Sequence, residues 1–149
     1  MEYDKLEFET TFKNGDMIPV EYTGYGKNIS PEFRIKNLSD KAKSLVIILE
    51  DLSHPIKNFT HWIAWNIKAN SVIPENVGNM DNVMQGIAYG FHKYAGAKPP
   101  MFQKHNYKYT IYSLDNILEL SSNIMKKKLL KAMNGHILQK GTIIGYFKR

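Results

Sequence analysis

Leu45-Val46-Ile47-Ile48-Leu49 is an unbroken apolar run that ends on two adjacent carboxylates, Glu50 and Asp51. The run is short and rich in β-branched residues, so it reads as a central strand covered on both faces rather than as a half-wet strand or a helix. Such a strand needs layers on either side. The chain has 149 residues, the size of one domain, and a chain this long buries roughly 68–70% of its unfolded surface. A single domain spanning residues 1–149 is expected.

Other segments read as strands around it. Leu6, Phe8 and Phe12 alternate with Glu7, Glu9 and Thr11, the period of a half-buried strand. Asn14-Gly15-Asp16 signals a turn, and Met17 to Thr23 is expected to form a short strand after it. Phe59 to Ile67 and Tyr107 to Tyr112 are aromatic and β-branched, and Ile143 to Phe147 reads as a last strand. Residues 68–104 are punctuated by Gly and Pro and read mostly as loop, a length that often carries function. Near the C-terminus, Met125, Leu129 and Met133 recur at helical spacing and Leu130 widens their stripe. Ser121 or Ser122 stands where a cap belongs, and Gly135 lies just past the end. The sum is a mainly β chain with a short helix near the C-terminus.

Composition excludes several classes. With 43% hydrophobic and 12% aromatic residues, the chain is not expected to be disordered. The absence of Cys removes disulfides, thiolate metal sites and a Cys nucleophile, and fits a reducing, cytoplasmic location. Met1-Glu2-Tyr3-Asp4-Lys5 has no apolar core, so no secretory leader is expected. No run reaches the ~18 apolar residues of a membrane-spanning helix. The net charge of +6 is uneven. Residues 98–149 carry ten basic and two acidic groups, +8, against ten basic and twelve acidic groups, −2, in residues 1–97. A cationic C-terminal third suits an anionic ligand, nucleic acid or an anionic surface. Lys126, Lys127, Lys128 and Lys131 read as a solvated helix face, and without interleaved aromatics nucleic acid is not favoured.

Two constellations could carry chemistry. Asp51 closes the central strand and needs a donor there, for which His61 is a candidate. His105 and Tyr107 lie two apart, on one face of a strand, with Lys98 nearby; imidazole, phenol and ammonium donors suit a small oxyanion. The plain alternatives are a satisfied structural Asp–His pair, a surface His and a core Tyr.

Taken together, the motifs resemble the phosphatidylethanolamine-binding proteins, also called Raf kinase inhibitor-like proteins, in their shorter prokaryotic form. The resemblance runs over almost the whole chain: Ile18-Pro19, Tyr22-Thr23, Gly26-Lys27-Asn28-Ile29-Ser30-Pro31, Lys43-Ser44, Asp51-Leu52-Ser53-His54-Pro55, His61-Trp62-Ile63-Ala64-Trp65-Asn66, Tyr94-Ala95-Gly96-Ala97-Lys98-Pro99-Pro100, His105-Asn106-Tyr107, Tyr112-Ser113-Leu114-Asp115, Gly135-His136-Ile137-Leu138 and Gly145-Tyr146.

The resemblance implies a two-sheet, mainly antiparallel β-sandwich with Greek-key connections and a short helix near the C-terminus, and a non-enzymatic pocket for a small anionic or phosphorylated ligand. Asp51, His61, His105 and Tyr107 would surround the anion, Pro55, Trp62 and Pro99 would form walls, and His54-Pro55 would be a cis peptide. It also implies a homodimer; a kinase or protease partner is left open. The chain departs from the family motif at Leu52 for Pro, Ser53 for Asp, Asn106 for Arg and Lys98 for a small residue. Lys98 is expected to replace the lost Arg as the anion's cation. Asp51 is expected to raise the pKa of the neighbouring His rings and so strengthen binding from about pH 8 toward about pH 6, around the ordinary His value near 6.5. His54 and His92 read as loop surface residues, and His136 as structural. The competing reading is a hydrolytic or acid–base enzyme using Asp51, His61 and His105, but no Gly-x-Ser-x-Gly elbow or His-Glu-x-x-His is present. No metal or cofactor is expected, since the His residues lack close ligand spacing.

Overall fold

The computed structural model describes residues 3–149; Met1 and Glu2, part of the N-terminal leader reading, lie outside the described residues. Among the described residues, two sheets and one short α-helix make up the fold. Strands are β1 (Asp4–Lys5), β2 (Phe8–Thr10), β3 (Phe33–Ile35), β4 (Ser44–Asp51), β5 (Phe59–Lys68), β6 (Val72–Ile73), β7 (Met84–Gln85), β8 (Lys104–Leu114) and β9 (Ile137–Lys148); the helix α1 spans Lys126–Met133. One sheet has the order β1-β9-β8-β4-β5-β7, the other β2-β3-β6. All pairs are antiparallel except β1 with β9.

The apolar run is the centre of the larger sheet. Every residue of β4 is buried, and its period-2 alternation feeds two cores. Leu45, Ile47 and Leu49 pack between the sheets with Phe33, Ile73, Trp62 and Tyr109. Val46 and Ile48 face the other way, against Trp65, Leu118, Leu129 and Met133. Each such Leu or Ile contributes about 1.5–3 kcal/mol by burial. The two terminal carboxylates divide in the same manner. Glu50 turns to the helix side, where Lys126 of α1 donates to it over 2.6 Å and Lys108 stands 3.7 Å away. Asp51 turns to the opposite face. Lys126 therefore pins α1 to the sheet, unlike the solvated role expected of the lysine cluster.

Two β-bulges interrupt β5. Leu49 opposes Trp62 while Glu50 opposes Thr60, so His61 is an extra residue; a second shift between Leu45 and Ile47 spans Asn66. Asn66 adopts φ +57°, and its amide bonds both the N–H and the C=O of Leu118 at 2.9 Å.

Several local expectations are corrected. Met17 to Thr23 is not a strand: Val20–Tyr22 form a one-turn 3₁₀ helix, with only bridges at Met17 and Thr23. Pro19 lacks a ladder N–H and sets the φ of a turn. No serine caps α1. Met125 occupies the N-cap without a side-chain bond, while Ser121 Oγ accepts from the Asn123 N–H. Met125 and Leu130 are exposed, so the buried stripe is Leu129 and Met133. Gly135 does end the helix, at φ +84°, with the His136 N–H donating to Met133 O at 2.9 Å. Residues 68–104 include β6 and β7 and a 3₁₀ turn at Val77–Asn79. No helix among the described residues is long and apolar enough to cross a membrane.

Candidate functional site

The site lies where β4 ends between β5 and β8. Asp51 opposes Phe59 on one side and Tyr107 on the other. His105 lies two residues from Tyr107 on β8, on the same face. His61 reaches this face only through its bulge. In a regular strand it would point away from its neighbour Trp62; the extra residue lets both turn inward. A cavity of about 350 Å³ opens here, lined by Asp51, His61, His105 and Tyr107 with Pro55, Lys98 and Pro99 among its walls. Seven of the eight residues read from the sequence are thus brought together.

Trp62 is the exception. It is 1% exposed and packs in the core, with its indole N–H donating to Gln85 Oε1 over 2.7 Å. It opposes Leu49 rather than Asp51, one step too deep to line the cavity. His54 is corrected the other way: it lines the cavity and stacks on Phe59 at 3.9 Å between centroids. Tyr89, Pro100 and Gln103 also line it. Gln103 lies two residues before His105, and Tyr89 sits beside a glycine; that Tyr-Gly pair was the signal available. The His54-Pro55 peptide is trans, since no peptide among the described residues is cis. The loop is closed instead by the Ser53 N–H donating to Asp51 Oδ1 at 2.8 Å and the Ile56 N–H donating to His54 Nδ1 at 3.0 Å. An X–Pro bond without a constraint favouring cis keeps the trans form, by about 0.5–1 kcal/mol.

Asp51 is 3% exposed. Its Oδ1 accepts the Ser53 N–H, and its Oδ2 accepts Nδ1–H of His105 at 2.8 Å. The donor that the buried carboxylate required is therefore His105. His61 Nε2 stands 3.9 Å from the same oxygen, and its Nδ1–H donates to Ala95 O at 2.9 Å. That bond fixes the tautomer, leaving a bare lone pair on Nε2 in the neutral ring. Burial lowers the His61 pKa below 6.5, outweighing the Ala95 bond and the pull of Asp51. The expectation that Asp51 would raise it is corrected: desolvation dominates on a ring this buried.

Tyr107 is 1% exposed, and its hydroxyl meets no hydrogen-bond partner. The backbone of Lys98 lies near it and slightly favours the phenolate, yet burial first and Asp51 second hold the phenol well above its ordinary pKa. The hydroxyl remains a donor at all ordinary pH. Of the departures from the family motif, Ser53 ties the strand ends together, its Oγ accepting the Asn106 N–H at 2.9 Å. Asn106 is exposed and alternates away from His105 and Tyr107, outside the cavity. His92 is exposed, and His136 pairs with Asp115 at 2.9 Å. Among the described residues, no group of three or more His, Cys, Asp or Glu side chains could hold a metal.

Comparison with known proteins bears on the family and the fold. The sequence pattern of the phosphatidylethanolamine-binding protein family matches residues 8–148. A UPF0098 protein of Pyrococcus horikoshii is 40% identical over 152 residues, covering 97% of this chain and 77% of that protein. A UPF0098 protein of Methanothermobacter thermautotrophicus is 35% identical, covering 93% of this chain and 95% of its own length. The crystal structure of the phosphatidylethanolamine-binding protein homologue CT736 of Chlamydia trachomatis superposes with a TM-score of 0.86 at 30% identity, covering 98% of this chain and 99% of that one. Escherichia coli YbcL, described as a member of the mammalian PEBP family, shares the fold at a TM-score of 0.86 and 20% identity, covering 97% and 99%.

Proposed function

This chain belongs to the phosphatidylethanolamine-binding protein family, and from that premise we propose that its cavity binds a small oxyanion, phosphate or a phosphoryl group on a larger ligand, and holds it without turnover. The observation that carries the reading is the Tyr107 hydroxyl, buried without a partner beside Asp51, His61 and His105. A buried hydroxyl left unpaired costs about 1–3 kcal/mol, and an anion oxygen would satisfy it.

Each residue has a distinct part. Tyr107 donates a neutral O–H. His61, once protonated, presents Nε2–H while Nδ1–H stays on Ala95. Asp51 already has a donor on each oxygen, so it orients His105 rather than facing the anion. Its charge opposes the ligand, and the proton gained by His61 offsets that repulsion. Lys98 supplies an exposed cation at the mouth, and Pro55 and Pro99 are rigid walls. No side chain here is arranged as an activated nucleophile, which favours binding over hydrolysis.

Calorimetric titration with inorganic phosphate at about pH 6 tests the reading, paired with an assay for phosphate release from phosphoethanolamine. Saturable binding that Tyr107→Phe weakens by about tenfold, the scale of one hydrogen bond to a charged group, with no release, is the expected result. No binding, or release that His61→Ala abolishes, overturns it.

A further inference from the structure

Every lysine of β8 and β9 lies on one face of the larger sheet, the face turned away from the cavity. Lys104 and Lys108 alternate with the inward His105, Tyr107 and Tyr109. Across the ladder, Lys104 opposes Lys148, Asn106 opposes Tyr146 and Tyr112 opposes Lys140. Lys5 of β1 pairs beside Lys140 and carries the same face onto a third strand. β8 and β9 contain neither Asp nor Glu. On the adjoining strands, Asp51 faces the cavity, Asp4 registers with the buried Gln139 on the other side, and Glu50 is held by Lys126 and Lys108.

This face is open. The helix covers β4 and β5, where Leu129 and Met133 pack with Val46 and Trp65, while Lys5, Lys104, Asn106, Lys140, Thr142 and Lys148 are all exposed. Two rings hold cations across it. Lys104 Nζ lies 4.3 Å from the centroid of Tyr146, and Lys140 Nζ lies 5.6 Å from that of Tyr112, each drawn to the negative face of the ring. Read along the chain, lysine and aromatic residues do not interleave in α1. Read across the β8–β9 ladder, they do, because strand pairing brings together residues far apart in sequence.

Four cations on this face, Lys5, Lys104, Lys140 and Lys148, have no carboxylate partner. Lysine presents a compact charge suited to phosphate, whereas carboxylates are met best by the planar fork of arginine, which β8 and β9 lack. Asn106 and Thr142 add the amide and hydroxyl that accompany lysine on phosphate and sugar. A lipid surface finds little to hold, since no large apolar side chain of β8 or β9 is exposed. The face runs about 27 Å from Lys104 to Tyr112 and is about 10 Å across its three strands. That is the track of one sugar-phosphate backbone, not of a duplex with two backbones flanking its grooves.

We propose that the outer face of β1, β9 and β8 binds single-stranded nucleic acid through its phosphates, without reading sequence. The site is on the opposite side of the sheet from the oxyanion cavity and does not depend on it.

The test is fluorescence anisotropy of a labelled oligothymidylate of about twelve nucleotides with the full chain, at about 0.05 and about 0.2 M salt. Four phosphates neutralised on a single strand give a log–log salt slope near −3, so affinity is expected to fall about 50-fold between the two conditions. Lys104→Ala combined with Lys148→Ala halves the contacts, weakens binding at the lower salt and cuts that fall to about sevenfold. Lys127→Ala combined with Lys131→Ala, on the exposed side of α1, leaves affinity and slope unchanged. No binding at about 0.05 M salt overturns the proposal, as does tighter binding of a duplex of the same length or of polyglutamate, or an equal loss in the α1 pair. None of these outcomes bears on the oxyanion reading.

Discussion

His105 and His61 approach one oxygen of Asp51 from two different strands and on unequal terms. Nδ1 of His105 donates to Oδ2 over 2.8 Å, while Nε2 of His61 stands 3.9 Å from it. The first ring is anchored by the carboxylate. The second is anchored by the Ala95 carbonyl and keeps its inward nitrogen unpaired, able to gain a proton and turn from acceptor to donor. This asymmetry makes His61 the pH-responsive group of the proposed site.

Anion affinity is accordingly expected to stay level from about pH 8 to about pH 7 and to rise below about 6.5, the ordinary His value, because burial lowers the His61 pKa. Sulfate is the cleaner probe, since its charge is constant over this range whereas phosphate esters titrate near pH 6. Calorimetry across the series, with His61→Gln as the flat reference, reads the effect.

The same shift predicts how the unliganded protein responds to acid. A His pKa lowered by folding contributes stability that is complete above about 6.5 and is lost as pH falls through the lowered folded value. Denaturant midpoints at about pH 7.5 and about pH 5.5 should show the natural chain losing more than His61→Gln.

Tyr107→Phe separates stability from binding. Removing a buried hydroxyl that has no partner is expected to leave the melting temperature unchanged or slightly raised, since an apolar group of the same shape is nearly neutral or stabilising. Phosphate affinity should nevertheless fall about tenfold, the equivalent of about 1.4 kcal/mol. Thermal melts and calorimetry on one preparation check both.

Lys126→Ala gives the reverse pattern. It leaves the buried Glu50 with Lys108 alone at 3.7 Å, at an expected cost of about 1–2 kcal/mol after allowing for the partial exposure of the lysine. Phosphate affinity should not change, because Glu50 and Asp51 face opposite sides of β4. Chemical denaturation measures the loss.

Lys98→Ala removes the cation at the cavity mouth. An exposed lysine contributes about 0.2–1 kcal/mol, so a loss of about 1.4- to 5-fold in phosphate affinity is expected. The loss should shrink as salt rises from about 0.01 to about 0.15 M, over which the screening length falls from about 30 to about 8 Å. Titrations at the two salt concentrations test it.

What was legible in the sequence followed from residues whose environment is set by strand periodicity. The run 44–51 announced a doubly covered strand, and the shared face of His105 and Tyr107 followed the alternation of β8; that Asp51 meets them came only from the resemblance, and its pairing opposite Tyr107 is seen in the sheet register. His61 joined the site by resemblance, because its bulge breaks the period of 2 that sequence reading relies on. Trp62 was placed in the wall for the same reason: without the bulge visible, neighbours on β5 could not be told apart by depth. His54 and Tyr89 were missed because loop backbone, not spacing, aims them inward. The trans His54-Pro55 bond, the 3₁₀ turn at Val20–Tyr22 and the uncapped α1 are decided by local backbone bonds that composition does not report.

The most direct test of the proposed oxyanion site is an NMR titration of the five His side chains with phosphate at about pH 6 and about pH 8. The account predicts selective shifts of His61 and His105, larger at the lower pH and diminished in Tyr107→Phe, with His92 and His136 unmoved. No shift at His61 and His105, or equal shifts across all five rings at both pH values, would contradict it.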